Sequence, residues 1–190
     1  GDSALAKPIL ALAAAIAREI EAISLGEKPR VSVSQQRDMQ YIHALNQALR
    51  FSPQDTDLIA QIAFESEQSG RFDLALSHAE RCIEVLASLP PAESDEEFAL
   101  QQGLSDGMQN LIKRHRDRRK AVEEEVLRLQ KEKTETLLIS AMLRQQGFVL
   151  RALTLIEEDP TLVGNAQGRL IQAFLLSDSG RIEEAAEQNG

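Results

Sequence analysis

Apolar residues at Leu5, Ile9, Leu12, Ile16, Ile20 and Ile23 recur every three or four positions. An α-helix turns once per 3.6 residues, so this spacing predicts a single apolar stripe along an amphipathic helix. Pro8 falls in its first turn, where the backbone N–H has no intrahelical partner to lose. Gly26 and Pro29 break the pattern. It resumes with Met39, Ile42, Leu45 and Leu49, predicting a helix from about Gln35 to Phe51. "SPQD" at 52–55 ends that helix, and either Asp55 or Thr56 is placed to cap the next.

Leu58, Ile59, Ile62, Ala63 and Phe64 mark a helix over 57–69, stopped by Gly70. Phe72, Leu74, Ala75, Leu76, Ala79, Cys82, Ile83 and Leu86 mark another, stopped by "LPPAES" at 89–94. Ser94 followed by Glu97 is a capping-box signature, so a helix starts there. Leu104, Met108, Leu111, His115, Arg118, Val122, Leu129 and Thr136 then sit at heptad-like steps, with either Glu125 or Val126 in the gap. These predict a long charged helix over about 105–131, either joined to or separate from a short one at 94–102. Its middle is too polar for a strong coiled-coil seam, so it either projects into solvent or lies along a neighbour's surface. Segments 134–147, 148–160, 164–180 and 181–188 are again helical, and no stretch alternates with period two. The fold class is all-α.

Composition sharpens this. Alanine and leucine dominate the apolar residues and aromatics are only 4%, which favours closely packed helices over sheets. The net charge of −9 argues against a general nucleic-acid binder. Cys82 is the single cysteine, so neither an internal disulfide nor a cysteine-based zinc cluster can form. A cytoplasmic location is the expectation. The longest apolar run, residues 9–17, is too short to span a bilayer. Arg18, Glu19 and Glu21 stand where a signal peptide would need small residues.

Three glycines share one context. Gly70, Gly147 and Gly180 each follow an amphipathic helix and each precede an alanine five positions on: Ala75, Ala152 and Ala185. Gly permits a left-handed turn between two helices, and the alanine lets their backbones approach. Phe72, Val149 and Ile182, two after each Gly, are placed to seal the turn. Gly147 and Gly180 are 33 residues apart, and Gly70 and Gly147 are 77 apart, one such period plus the long helix.

This pattern resembles the tetratricopeptide repeat, a helix–turn–helix unit of about 34 residues. The best match is 56–89, carried by Ile59, Ile62, Ala63, Gly70, Phe72, Ala75 and Ala79, with Cys82 where the family keeps alanine. "ALRFSP" at 48–53 resembles the end of a preceding repeat, and 133–160 and 166–190 match more loosely through Ser140 and Ala173. The family's tryptophan is absent, and its usual tyrosine is replaced by Ser66, Leu143 and Leu176. The resemblance implies a helix-hairpin solenoid: N-terminal hairpins over 1–89, a long charged insertion over 94–132, and two further hairpins over 133–190, the last truncated. "SGRIEEAAEQNG" at 179–190 reads as a turn and a partial second helix, so the chain is expected to continue.

By the same resemblance, the inner faces of the first helices form a concave groove for a partner polypeptide. Gln61, Phe64, Glu67, Gln68, Leu137, Arg144, Phe174 and Asp178 are its candidate residues. Phe64 and Phe174 hold equivalent places and either anchor a partner or pack on the neighbouring repeat. The family's basic clamp for C-terminal carboxylates is not supported, because Ala60 and Phe64 occupy its places.

"KRHRDRRK" at 113–120 carries +5 in a chain whose remainder is then −14 (−9 less +5). Lys113, Arg114, Arg116, Arg118, Arg119 and Lys120 form a candidate patch for an anionic partner, either acidic protein or nucleic acid. The simpler reading is a solvated helix balanced by Glu123, Glu124 and Glu125 through Arg119–Glu123 and Lys120–Glu124 pairs, or a contact within its own assembly. No aromatic interleaves the run to stack bases. Cys82 is expected as a buried, inert thiol. His43, His78 and His115 lack metal-ligand spacing and are expected on helix surfaces, and no phosphate loop or nucleophile elbow is present. The expected function is therefore non-catalytic, a protein-interaction or scaffolding module without cofactor or metal, with self-association through the long helix or terminal repeat as a further possibility. The alternative is a regulatory adaptor using the basic run.

Overall fold

A computed structural model describes residues 33–188, which are all-helical with no strand among them. The helix predicted over Leu5–Ile23 lies outside the described residues. The elements are α1 (Val33–Phe51), α2 (Thr56–Gln68), α3 (Phe72–Ser88), α4 (Asp95–Lys131), α5 (Thr136–Gln145), α6 (Val149–Glu158), α7 (Pro160–Val163), α8 (Ala166–Asp178) and α9 (Ile182–Gln188). Sequence neighbours pack as hairpins: α2 on α3, α5 on α6, α8 on α9.

Local chemistry places most boundaries. Asp55, not Thr56, caps α2, its carboxylate accepting from the backbone of Asp57 and Leu58 at 3.1 Å each. Ser94 caps α4 by accepting from Glu97 N at 3.1 Å. Glu97 returns the favour one residue earlier than a standard capping box, accepting from Glu93 N at 2.8 Å. Pro160 opens the short α7, which the sequence pattern does not predict.

Three hairpins turn identically. Gly70, Gly147 and Gly180 have φ of +75°, +83° and +80°. After each, a backbone N–H (Arg71, Phe148, Arg181) donates back to Ser66, Leu143 and Leu176 respectively, each at 2.8 Å. This is the six-residue closure of a Schellman motif. Ala75 and Ala152 are fully buried and Ala185 nearly so, which lets the paired helices approach closely.

A fourth turn of the same kind ends α4, with Thr134 N donating to Leu129 O at 3.0 Å. Here the left-handed residue is Lys133, with φ +58°. A β-carbon costs about 1–2 kcal/mol in that conformation. Because glycine also loses more chain entropy on folding, Lys133→Gly is expected to stabilise the protein by about 0.5–1 kcal/mol. Urea denaturation checks this, and an unchanged or lowered midpoint contradicts it.

α4 is one continuous helix of 37 residues, about 55 Å long at 1.5 Å per residue. The segments 94–102 and 105–131 are joined, and 134–146 is separated from them by the Lys133 turn. Gly103 and Gly107 do not break it. Gly107 faces Phe64, whose Cζ would lie 3.4 Å from a β-carbon added there. Met108, Leu111, His115, Val122, Val126 and Leu129 form its buried seam, so Val126 rather than Glu125 fills the gap in the heptad pattern. Met108 and Leu111 join a hydrophobic cluster with α1, α2 and α3. Val122, Val126 and Leu129 join a second cluster with α5, α6 and α8. The long helix therefore lies along its own chain as a spine between two cores, while its first turns leave Phe98 and Leu100 exposed.

The two cores also meet directly at the turns. Phe72 N, just past Gly70, donates to Gly147 O at 2.8 Å. Asp73 in the first turn of α3 accepts from Arg151 N in the first turn of α6 at 2.8 Å. α6 has no side-chain cap of its own, so a carboxylate from the other hairpin does that work. Burial pushes the Asp73 carboxyl up to about 6, against the downward pull of the backbone N–H groups of Arg151, Leu74, Leu150 and Val149.

Candidate functional site

The predicted groove residues fall into two separate groups. On α2, Gln61, Phe64 and Gln68 are exposed along one face. The Gln61 amide donates to the Tyr41 hydroxyl of α1. Phe64, 38% exposed, lays its ring against Gly107 of α4. Glu67 does not face an open groove. It turns to α4, accepting from Arg114 Nε and Nη2 at 3.0 and 2.9 Å and from His115 Nε2 at 2.7 Å. Burial raises its carboxyl, but Arg114 and His115 outweigh that and hold it below the usual glutamate range.

The second group comes together between α5 and α8. Leu137, Ser140, Ala141, Arg144, Ile171 and Phe174 line a narrow, mostly apolar notch. Arg144 Nε donates to Asp178 Oδ2 at 2.5 Å across its rim. The Arg144 guanidinium sits 6.0 Å from the Phe174 ring centroid, within reach of a cation–π contact. Leu137 and Phe174 are half-buried, so each packs on the core and still shows a face to solvent.

The basic run is drawn into the fold. Arg114 is held by Glu67. Arg119 Nη1 donates to Glu80 of α3 at 2.6 Å, and Lys120 lies 3.9 Å from Glu124. The expected Arg119–Glu123 pair does not form, because Glu123 instead accepts from Arg151 Nε of α6 at 2.9 Å. Arg118 stacks over Phe72 at 4.1 Å from its centroid and donates to His115 Nδ1 at 3.2 Å. Lys113 and Arg116 are exposed.

His115 overturns the expectation of a helix-surface histidine. It is 7% exposed, stacked 4.8 Å from Phe72, and its two partners assign each ring nitrogen a role. Nδ1 accepts from Arg118, and Nε2 donates to Glu67. Its heptad step with Leu111 and Val122 carried the signal. His78 is half-buried rather than on the open surface, and burial lowers its pKa. Cys82 is fully buried, its thiol 3.6 Å from Thr56 O, and burial with nearby Asp57 pushes it up to about 11. Tyr41, Asp73, Glu80 and Arg151 were not singled out by the sequence, since none belongs to a motif.

Among the described residues, no three His, Cys, Asp or Glu side chains converge as metal ligands, and no helix is long and apolar enough to cross a membrane. Comparison with protein-family models, characterised proteins and solved structures finds no match to this chain.

Proposed function

We propose that this protein is a non-catalytic polypeptide-binding module, built as a tetratricopeptide-like array of helical hairpins with a long helix inserted between repeats. The repeated glycine turns, the buried alanines and the stacking of the Gly147 turn on the Gly70 turn support that architecture. The notch between α5 and α8 carries the binding reading. It offers an apolar floor of Ala141 and Ile171, the half-buried Leu137 and Phe174, and the Arg144–Asp178 pair at its rim. An apolar anchor ringed by polar groups is the composition of an interface hot spot. The α2 face around Gln61, Phe64 and Gln68 is a second contact, walled by α4.

The alternative, an adaptor gripping an anionic partner through 113–120, retains only Lys113 and Arg116 as exposed cations without a carboxylate or ring against them. That weakens it against the groove reading.

The test is selection of binding peptides from a displayed random library, followed by titration. Phe174→Ala is expected to weaken the selected peptides at least tenfold, since truncating a central aromatic anchor costs about 2 kcal/mol or more. Circular dichroism verifies that the variant stays folded. Failure to enrich any peptide, or equal affinity for wild type and Phe174→Ala, refutes the proposal. Steeply salt-dependent binding lost on Lys113→Ala and Arg116→Ala transfers support to the adaptor.

A further inference from the structure

The connection from α3 to α4 shapes an open cleft of about 510 Å³ that shares no lining residue with the α5–α8 notch. Leu89, Pro90, Pro91 and Ala92 line it from the connection, and Phe98 lines it from α4. Local chemistry sets its shape. A residue before proline is kept out of the helical region, and Leu89 is extended at φ −69° and ψ 151°. Pro90 and Pro91 lock their own φ. Across the cleft, Ser94 and Glu97 cap α4, and Phe98 N donates to Ser94 O at 3.0 Å. The Phe98 ring therefore stands on a fixed helix end, yet it is 61% exposed. An apolar ring left open in a pre-shaped cleft keeps its burial free energy for a partner.

The rim carries one sign of charge. From Cys82 to Ile112 the chain has Glu84, Glu93, Asp95, Glu96, Glu97 and Asp106 and no Lys, Arg or His. Those six carboxylates supply −6 of the net −9. None of the six is in an ion pair among the described residues. Elsewhere Glu67, Glu80, Glu123, Glu125 and Asp178 each meet an arginine. Acids in a first turn complement the helix dipole, but that dipole amounts to about half an elementary charge. It does not neutralise Asp95, Glu96 and Glu97 together, and Glu93 lies outside the helix.

From this apolar cleft and its uncompensated acidic rim we infer that the α3–α4 corner docks a cationic segment of a partner polypeptide. An apolar side chain of the partner packs on Phe98 and the two prolines. Lys or Arg on either side of it meets Glu93 and Asp95, which line the same cleft. A guanidinium there also stacks on the Phe98 ring. A second copy of this chain is the poorer occupant, because its own basic run has Arg114, Arg119 and Arg118 drawn to Glu67, Glu80 and Phe72.

Selection from a displayed random peptide library tests this, with the Phe174→Ala variant as bait so that the α5–α8 notch does not compete. Enriched peptides are expected to carry net positive charge and at least one large apolar residue. They are then synthesised and titrated by fluorescence anisotropy. Phe98→Ser is expected to weaken them about tenfold or more. Glu93→Gln combined with Asp95→Asn is expected to weaken them about fivefold or more at low salt and to flatten the salt dependence. Glu158→Gln, an exposed acid at the end of α6, leaves them unchanged. The altered side chains are all exposed, and circular dichroism verifies that the variants stay folded. Failure to enrich any peptide, enrichment without a cationic bias, unchanged affinity in Phe98→Ser, or an equal loss in Glu158→Gln overturns the inference. Sedimentation that shows a dimer dissolved by Phe98→Ser assigns the corner to a second copy and overturns it as well.

Discussion

Gly147→Ala is expected to destabilise this protein by on the order of 3–5 kcal/mol, a large share of the roughly 5–15 kcal/mol that holds a domain folded. Two costs add. With φ at +83°, any β-carbon there costs about 1–2 kcal/mol. The added atom would also lie 2.0 Å from Gly70 O and 2.7 Å from Phe72 Cδ2. The nearer obstacle is backbone, so it cannot rotate away. Relief means separating the two stacked turns and losing the bond from Phe72 N to Gly147 O, which strands a buried donor at about 1–3 kcal/mol.

Gly70→Ala is the matched control. Its φ is +75°, yet nothing lies within 4 Å of its added β-carbon. A loss of only about 1–2 kcal/mol is expected there. Urea denaturation followed by circular dichroism measures both. Equal losses at the two positions would show that the turns are not in close contact.

Asp73 gives the second large effect, one that depends on pH. Its carboxyl is raised from 3.8 to about 6 in the folded state. The folded protein therefore holds this proton more tightly than the unfolded chain does. The stability it contributes is complete below about pH 4 and is lost as pH rises through about 6. At about 1.4 kcal/mol per pH unit, the whole change is roughly 3 kcal/mol. Asp73→Asn keeps an oxygen for Arg151 N and removes the charge. Wild type is therefore expected to lose up to roughly 3 kcal/mol relative to Asp73→Asn between pH 4 and pH 7. Denaturant titrations of both proteins at several pH values measure that difference. Taking it cancels the opposite trend of Glu67 and Glu184, whose carboxyls are lowered by their partners. A difference that stays flat with pH would mean that Asp73 is not buried between α3 and α6.

The two groove surfaces differ in how they could be found. Phe64 and Phe174 were visible as equivalent aromatics in related helices. Whether each faces solvent was not, because that depends on what lies alongside. Gly107 of α4 comes beside Phe64, whereas Arg144 and Asp178 frame Phe174. The cleft where α1, α3 and the Gly180 turn meet carried no motif at all: its lining includes Asn46 and Arg50, His78 and Arg81, and Gly180, Arg181 and Glu184, and only folding brings them together.

The sequence by itself determined the helical class, most helix boundaries and the three glycine turns. Helix periodicity, end capping and the need for a left-handed residue all act within a few positions, so a local pattern suffices. The buried Ala75, Ala152 and Ala185 belong to the same class, five residues from the turn that demands them. Only the tertiary structure decided that α4 runs unbroken between two cores, and which carboxylate each arginine meets. Glu67 and Arg114 are 47 residues apart, and Asp73 and Arg151 are 78 apart. Such pairs form because packed apolar faces carry distant charges to one place, where burial makes an unpaired group expensive. Periodicity along a chain holds no record of which faces will meet.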